Sequence, residues 1–106
     1  MGDSVKGQLD FMLLAVLRDA PTYGYLIIEH IKRRSDGVFD LPESTVYPAL
    51  HRLETKKLVR SAWAAVNGRR RRVYKLTDRG RAALDDERDA WRRFSSAVSS
   101  VGRDSS

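Results

Sequence analysis

The chain of 106 residues contains no cysteine, which removes disulfide frameworks and thiolate metal sites together. Its only histidines are His30 and His51, too few to suggest a buried zinc centre, so neither a metal nor another cofactor is expected. No apolar run approaches the roughly 18 residues that a membrane-spanning helix needs. The opening MGDSVKGQLDF lacks the basic segment and cleavage site of a secretory leader. Lys6 also stands where a myristoylation signal needs Ser or Thr. There is no nucleophile–base arrangement, no pair of catalytic carboxylates and no Gly-rich phosphate loop, so an enzyme is not expected. The acidic run Asp85, Asp86, Glu87 and Asp89 reads instead as the solvated early part of a helix, where negative charge is favourable. These absences leave a soluble, cytoplasmic protein with no membrane partner as the expectation.

What the chain does have is a localised positive charge. Residues 43–81 carry eleven Lys or Arg against three Asp or Glu, about +8. Residues 1–42 carry five against six and residues 82–106 four against five, so each flank is near −1. The net +6 of the chain therefore resides in one segment. A merely solvated surface interleaves its signs, whereas a segment of one sign suits a phosphate backbone. With 42% apolar residues in one small domain, the core is limited, and oligomerisation is a reasonable way to bury more surface.

Apolar spacing organises the rest. Residues 8–18 (QLDFMLLAVLR) read as a helix in which Leu9, Met12, Leu13 and Val16 follow the helical period. Phe11, Leu14 and Leu17 widen its stripe, which implies burial on two sides, one of them against a partner chain. DAPTYG breaks this helix. A second spans about 23–34, its entry marked by Thr22 or Pro21, with Tyr25, Ile28 and Ile31, and Leu26 and Ile27 beside them, facing inward. Asp36-Gly37 marks a turn. A third helix covers about 43–56, capped by Asp40 or Ser44, with Val46, Ala49, Leu50 and Leu53 as its apolar face and Pro48 awkwardly inside it. Leu58–Val66 and Arg71–Leu76 read as strands joined by Asn67-Gly68, a pair suited to a type I′ hairpin turn. Thr77 then caps a long helix of about 78–100, and the tail VGRDSS is expected to fray.

A helix with readable side chains followed by a cationic ribbon is the outline of a winged helix-turn-helix. The expected fold is mainly α (α+β), with a two-stranded β wing and a long C-terminal dimerisation helix. Residues 1–77 would form the DNA-binding domain, and residues 78–106 the dimerisation helix and tail. On the last helix Leu84, Trp91 and Val98 lie seven apart, with Phe94 and Val101 three residues after the latter two, and Glu87 interrupts the second row. That spacing makes these five residues the expected dimer seam.

The segments YGYLIIEHI, STVYPALHRLE and RRVYKLTDRG, in this order, resemble the PadR family of bacterial winged-helix transcriptional regulators over roughly residues 8–95. The single C-terminal helix is similar to that of the shorter PadR subgroup, in which it mediates dimerisation. Two positions depart from the family pattern. Lys57 stands where Gly usually follows the third helix, so the exit needs a left-handed residue or a different turn, and Glu43-Ser44 replaces a common Pro-Gly pair.

Double-stranded DNA is the expected partner. On the third helix Ser44, Thr45, His51 and Arg52 are the candidates to meet base edges, Arg52 as a bidentate reader of guanine, and Lys56 lies on the same exposed side. Tyr47 is expected to support the helix and to stand beside the DNA backbone, as the resemblance implies. On the wing Arg69 and Arg70 would enter the minor groove or clamp phosphates, while Tyr74 and Leu76 face inward and Arg71, also expected to contact DNA, faces outward with Val73 and Lys75. Trp63 reads as structural. The resemblance further implies a repressor occluding a palindromic promoter site, and an aromatic or planar effector stacked at the dimer centre on Trp91. A protein-interaction module, whose basic hairpin docks an acidic partner, is the alternative function.

Overall fold

A computed structural model describes residues 2–103; the last three residues of the tail expected to fray, 104–106, lie outside that range. The elements are α1 (Gly2–Asp19), β1 (Thr22–Tyr23), α2 (Gly24–Arg34), α3 (Glu43–Thr55), β2 (Val59–Val66), β3 (Arg69–Leu76) and α4 (Asp78–Gly102). Four helices surround a small antiparallel sheet of order β1-β3-β2. The winged helix-turn-helix is present, with one strand more than expected. β1 pairs Thr22 with Tyr74 and Tyr23 with Val73, so the wing is fastened to the segment between α1 and α2.

The wide stripe of α1 is explained by its position at the centre. Leu13, Leu14, Val16 and Leu17 are buried, and Leu9, Phe11, Met12 and Ala15 pack partly against the same core. In α2 the buried face is Gly24, Ile27, Ile28 and Ile31. Tyr25, expected to face inward, is exposed, because it stands one step round the helix from that face. Neither Pro21 nor Thr22 begins α2; Tyr23 does so from an extended conformation without a side-chain cap, since it is also the end of β1.

In α3 the apolar face is as expected, with Val46, Ala49, Leu50 and Leu53 buried. The N-cap is Pro42, again without a side-chain hydrogen bond, so neither Asp40 nor Ser44 caps it. Instead the Pro42 carbonyl accepts from the Thr45 and Val46 amides at 3.0 and 3.2 Å. Pro48 stays inside the helix. The carbonyl its missing amide would have met belongs to Ser44, which is exposed and can be satisfied by water.

The exit of α3 makes a reciprocal pair of bonds: the Lys57 amide donates to Glu54 O at 2.9 Å and the Leu58 amide to Leu53 O at 3.0 Å. This Schellman arrangement requires a left-handed residue, and Lys57 supplies it at φ 64°. A β-carbon is unfavourable in that conformation. Lys57→Gly is therefore expected to stabilise the fold by about 1 kcal/mol; urea unfolding checks this, and an unchanged or lower midpoint contradicts it.

Asn67 (φ 53°) and Gly68 (φ 78°) form the expected type I′ turn. The turn sets the register from Val66↔Arg69 to Val59↔Leu76, so β3 starts at Arg69 and not at Arg71. Tyr74 and Leu76 are buried, as expected. Burial, with Glu54 nearby, pushes the Tyr74 phenol above its ordinary pKa.

Thr77 joins the wing to α4. Its hydroxyl accepts from the Gly80 amide at 2.9 Å and lies 2.8 Å from Lys57 O and 3.0 Å from Leu58 O, to which it donates. Its own amide donates to Leu58 O at 3.1 Å. One side chain thus caps α4 and anchors the exit of α3.

Leu84, expected in the dimer seam, is 1% exposed inside the core of its own chain. Beyond it α4 has no buried residue, and Trp91, Phe94, Val98 and Val101 all remain exposed. The helix runs on to Gly102, past the expected end.

Candidate nucleic-acid interface

Because the apolar face of α3 is spent on the core, Ser44, Thr45, Tyr47 and His51 are left exposed along its outer side, with Lys56 and Lys57 at its end. The Tyr47 ring lies across the start of α2: a β-carbon on Gly24 would stand 2.6 Å from it. Glycine leaves room for the phenol end of that ring, whose Cζ and hydroxyl are the atoms packed on α2, so Tyr47 braces α3 on α2.

Arg52 is placed differently from a free base reader. Its guanidinium donates to Asp10 of α1 at 2.5 Å in a half-buried ion pair. A group held in this way must leave a carboxylate before it can read guanine, and doing so would strand Asp10.

The C-terminal end of α3 meets the wing through Glu54, which accepts from the Ser61 hydroxyl at 2.6 Å and pairs with Arg72 at 3.9 Å. In the antiparallel register, residues directly opposite share a face. The face turned toward α3 therefore carries Ser61 and Tyr74, then Trp63 and Arg72, then Ala65 and Arg70. The other face carries Arg71, whose guanidinium lies 4.6 Å from the centre of the Tyr23 ring. Arg71 points outward as expected, but it is half-buried and laid on β1, with an Nε that has no hydrogen-bond partner. Arg69 and Arg70 are exposed near the turn.

The electrostatics of this surface follow from which charges are compensated. Of the eleven Lys and Arg in residues 43–81, only Arg52 and Arg72 meet a carboxylate among the described residues. The other nine are without an acidic partner, and they include Lys56, Lys57, Arg69 and Arg70 at the end of α3 and the tip of the wing. Such a field attracts a polyanion from a distance and is weakened by salt.

Trp63, expected to be structural, is an exposed ring with the guanidinium groups of Arg70 and Arg72 over it. Counting back from the Asn67-Gly68 turn would have set it opposite Arg72.

At the far end, α1 and α4 enclose a groove of about 360 Å³ lined by Gly7, Gln8, Phe11, Glu87, Ala90, Trp91 and Phe94. The Trp91 and Phe94 rings are 6.0 Å apart and tilted by 34°. No helix among the described residues is long and apolar enough to cross a membrane.

The model of the transcriptional regulator PadR-like family matches residues 13–86. The transcriptional regulator Rv3488 of Mycobacterium tuberculosis is 39% identical over 72 residues, which is 68% of this chain and 64% of that protein. Among solved structures, a PadR family transcription regulator from Clostridium difficile R20291 is 30% identical with a TM-score of 0.78, covering 90% of this chain and 98% of its own. A transcriptional regulator from Clostridium thermocellum is 26% identical with a TM-score of 0.83, covering 92% and 96%.

Proposed function

The chain belongs to the PadR-like family of transcriptional regulators, and from that premise we propose that α3 and the β2–β3 wing together form its face toward double-stranded DNA. The observation that carries this reading is the set of cations on α3 and the wing that no carboxylate among the described residues compensates. In it α3 enters the major groove, with Ser44, Thr45 and His51 toward base edges. Tyr47 sets its hydroxyl against the backbone, and Lys56 and Lys57 meet phosphates. Arg69 and Arg70 reach the adjacent minor groove or its phosphates. Arg52, expected as a guanine reader, acts in this reading as a brace to Asp10, and Arg71 as a brace to Tyr23.

The protein acts as a homodimer in this reading, through the exposed row Trp91, Phe94, Val98 and Val101. An apolar row of this length on a helix uncovered by its own chain supports pairing with a second copy. The DNA-binding unit, expected at 1–77, takes in α4 as far as Leu84, and the remainder of α4 is the pairing helix. Twofold symmetry then matches a palindrome whose half-sites lie about one helical turn apart. Occlusion of such a promoter site makes the protein a cytoplasmic repressor. A planar aromatic effector in the α1–α4 groove, against Trp91, would release it by favouring a dimer geometry that no longer fits successive grooves.

Selection of binding sites from a pool of random duplexes, at near-physiological salt, tests the reading. The expected result is enrichment of a palindromic motif with half-sites about 10–11 base pairs apart, centre to centre. A pool that stays random through repeated rounds would show that α3 does not read sequence.

A further inference from the structure

We propose that Trp63 is a DNA-contacting residue of the wing, laid against the sugar-phosphate backbone, and that it positions Arg70 for a phosphate. The proposal rests on the DNA-binding reading above and adds a residue to it.

Trp63 is 55% exposed on a strand whose neighbouring residues, Ala62, Ala64 and Ala65, are small. It is therefore the one large ring on the outer half of the wing, and no element of its own chain covers it. The guanidinium of Arg70 lies 5.2 Å from the ring centre and that of Arg72 lies 5.4 Å from it. The negative face of an indole attracts a cation and limits where it points.

The two arginines differ in their charge balance. Arg72 has Glu54 at 3.9 Å, whereas Arg70 has no carboxylate partner among the described residues. Arg70 is thus an uncompensated cation whose flexible side chain is already held on a flat surface. Holding it in advance lowers the entropy lost when it binds an anion.

An apolar ring on β2 beside two cations of β3 on the same sheet face, the cations about 7 Å apart along their strand, is complementary to a DNA strand. That strand offers an apolar sugar between consecutive phosphates. The register turns this face toward the C-terminal end of α3, so the ring lies on the same side as Lys56 and Lys57. An acidic protein segment offers the charge without the regularly spaced sugars, and the test below separates it.

The experiment uses the full chain labelled with 5-fluorotryptophan, whose two tryptophans give two fluorine signals assigned with Trp63→Phe. A mixed-sequence duplex of about 25 base pairs, enough for both half-sites, is added at low salt, with anisotropy of the same duplex followed in parallel. The Trp63 signal is expected to shift and to saturate together with the anisotropy. Trp63→Ala is expected to weaken binding about tenfold, and Trp63→Phe by a smaller factor. The slope of log affinity against log salt should fall in magnitude by about 1 per protomer in Trp63→Ala, because Arg70 loses its phosphate. A purely structural role would leave that slope alone.

If the anisotropy rises while the Trp63 signal stays put and Trp63→Ala binds as the unaltered chain does, the proposal is overturned and the DNA-binding reading stands. A Trp63 signal indifferent to the duplex but moved by polyglutamate also overturns it, in favour of an acidic protein partner. No rise in anisotropy at all removes the DNA-binding reading and this proposal with it.

Discussion

Gly80→Ala is expected to destabilise the fold by about 3 kcal/mol or more, lowering the melting temperature by roughly 15 °C in a domain of this size. A β-carbon at this position would stand 2.0 Å from the Leu58 carbonyl oxygen and 2.8 Å from Leu76 Cδ1. The carbonyl cannot retreat easily, since it also accepts from the Thr77 amide and hydroxyl. The first turn of α4, the end of β3 and the exit of α3 meet at this one carbonyl, so relief of the clash must open a junction of three elements. Gly7→Ala is the control: nothing lies within 4 Å of a β-carbon there, and Ala in a helix favours stability by about 0.5–1 kcal/mol. Thermal melts of the two variants should move in opposite directions. A Gly80→Ala variant that melts with the unaltered chain would mean that α4 does not dock as described.

The largest functional effect is expected from Arg69→Ala combined with Arg70→Ala. The pair removes two uncompensated cations per protomer while leaving the buried wing residues Tyr74 and Leu76 in place. Affinity for a selected duplex should fall about 100-fold at moderate salt, and the salt slope should lose about 2 units per protomer. Both arginines are exposed at the tip of the wing, beside the turn, so circular dichroism and the melting temperature should be nearly unchanged. The double variant acts on positioning and attraction, and sequence preference should survive in what binding remains. Loss of preference at unchanged affinity would reverse the roles assigned to the wing and α3.

Local signals were the legible ones. The Asn67-Gly68 turn, the apolar face of α3 and the Thr77 cap are each written within a few neighbouring residues, and each is found where expected. Lys57 even announced its left-handed conformation by standing where the resemblance expected Gly. What escaped depends on residues distant in the chain. β1 has two residues, too short for any alternation, and exists because β3 offers it an edge. Leu84 fits the heptad spacing of the later seam residues, yet a sevenfold spacing cannot say whether a position faces its own core or a second chain. Here α1 packs on α4 closely enough to claim it for the chain's own core.

The cationic surface shows the same division. The charge of residues 43–81 is plain from composition, but which cations are free is not. Arg52 finds Asp10 at 42 residues' distance, Arg72 finds Glu54, and Arg71 finds the ring of Tyr23. Each partnership is a tertiary event, and two of them engage residues, Arg52 and Arg71, that the sequence reading set toward DNA. What remains uncompensated is the narrower set on which the functional reading now rests.

The most direct test of that reading is the anisotropy of a labelled duplex titrated with the chain across a series of salt concentrations. Lys56, Lys57, Arg69 and Arg70 on each of two protomers predict tight binding at low salt and a log–log slope of about −7. A slope near zero, or no binding at about 50 mM salt, would contradict the assignment of α3 and the wing as the DNA-binding face.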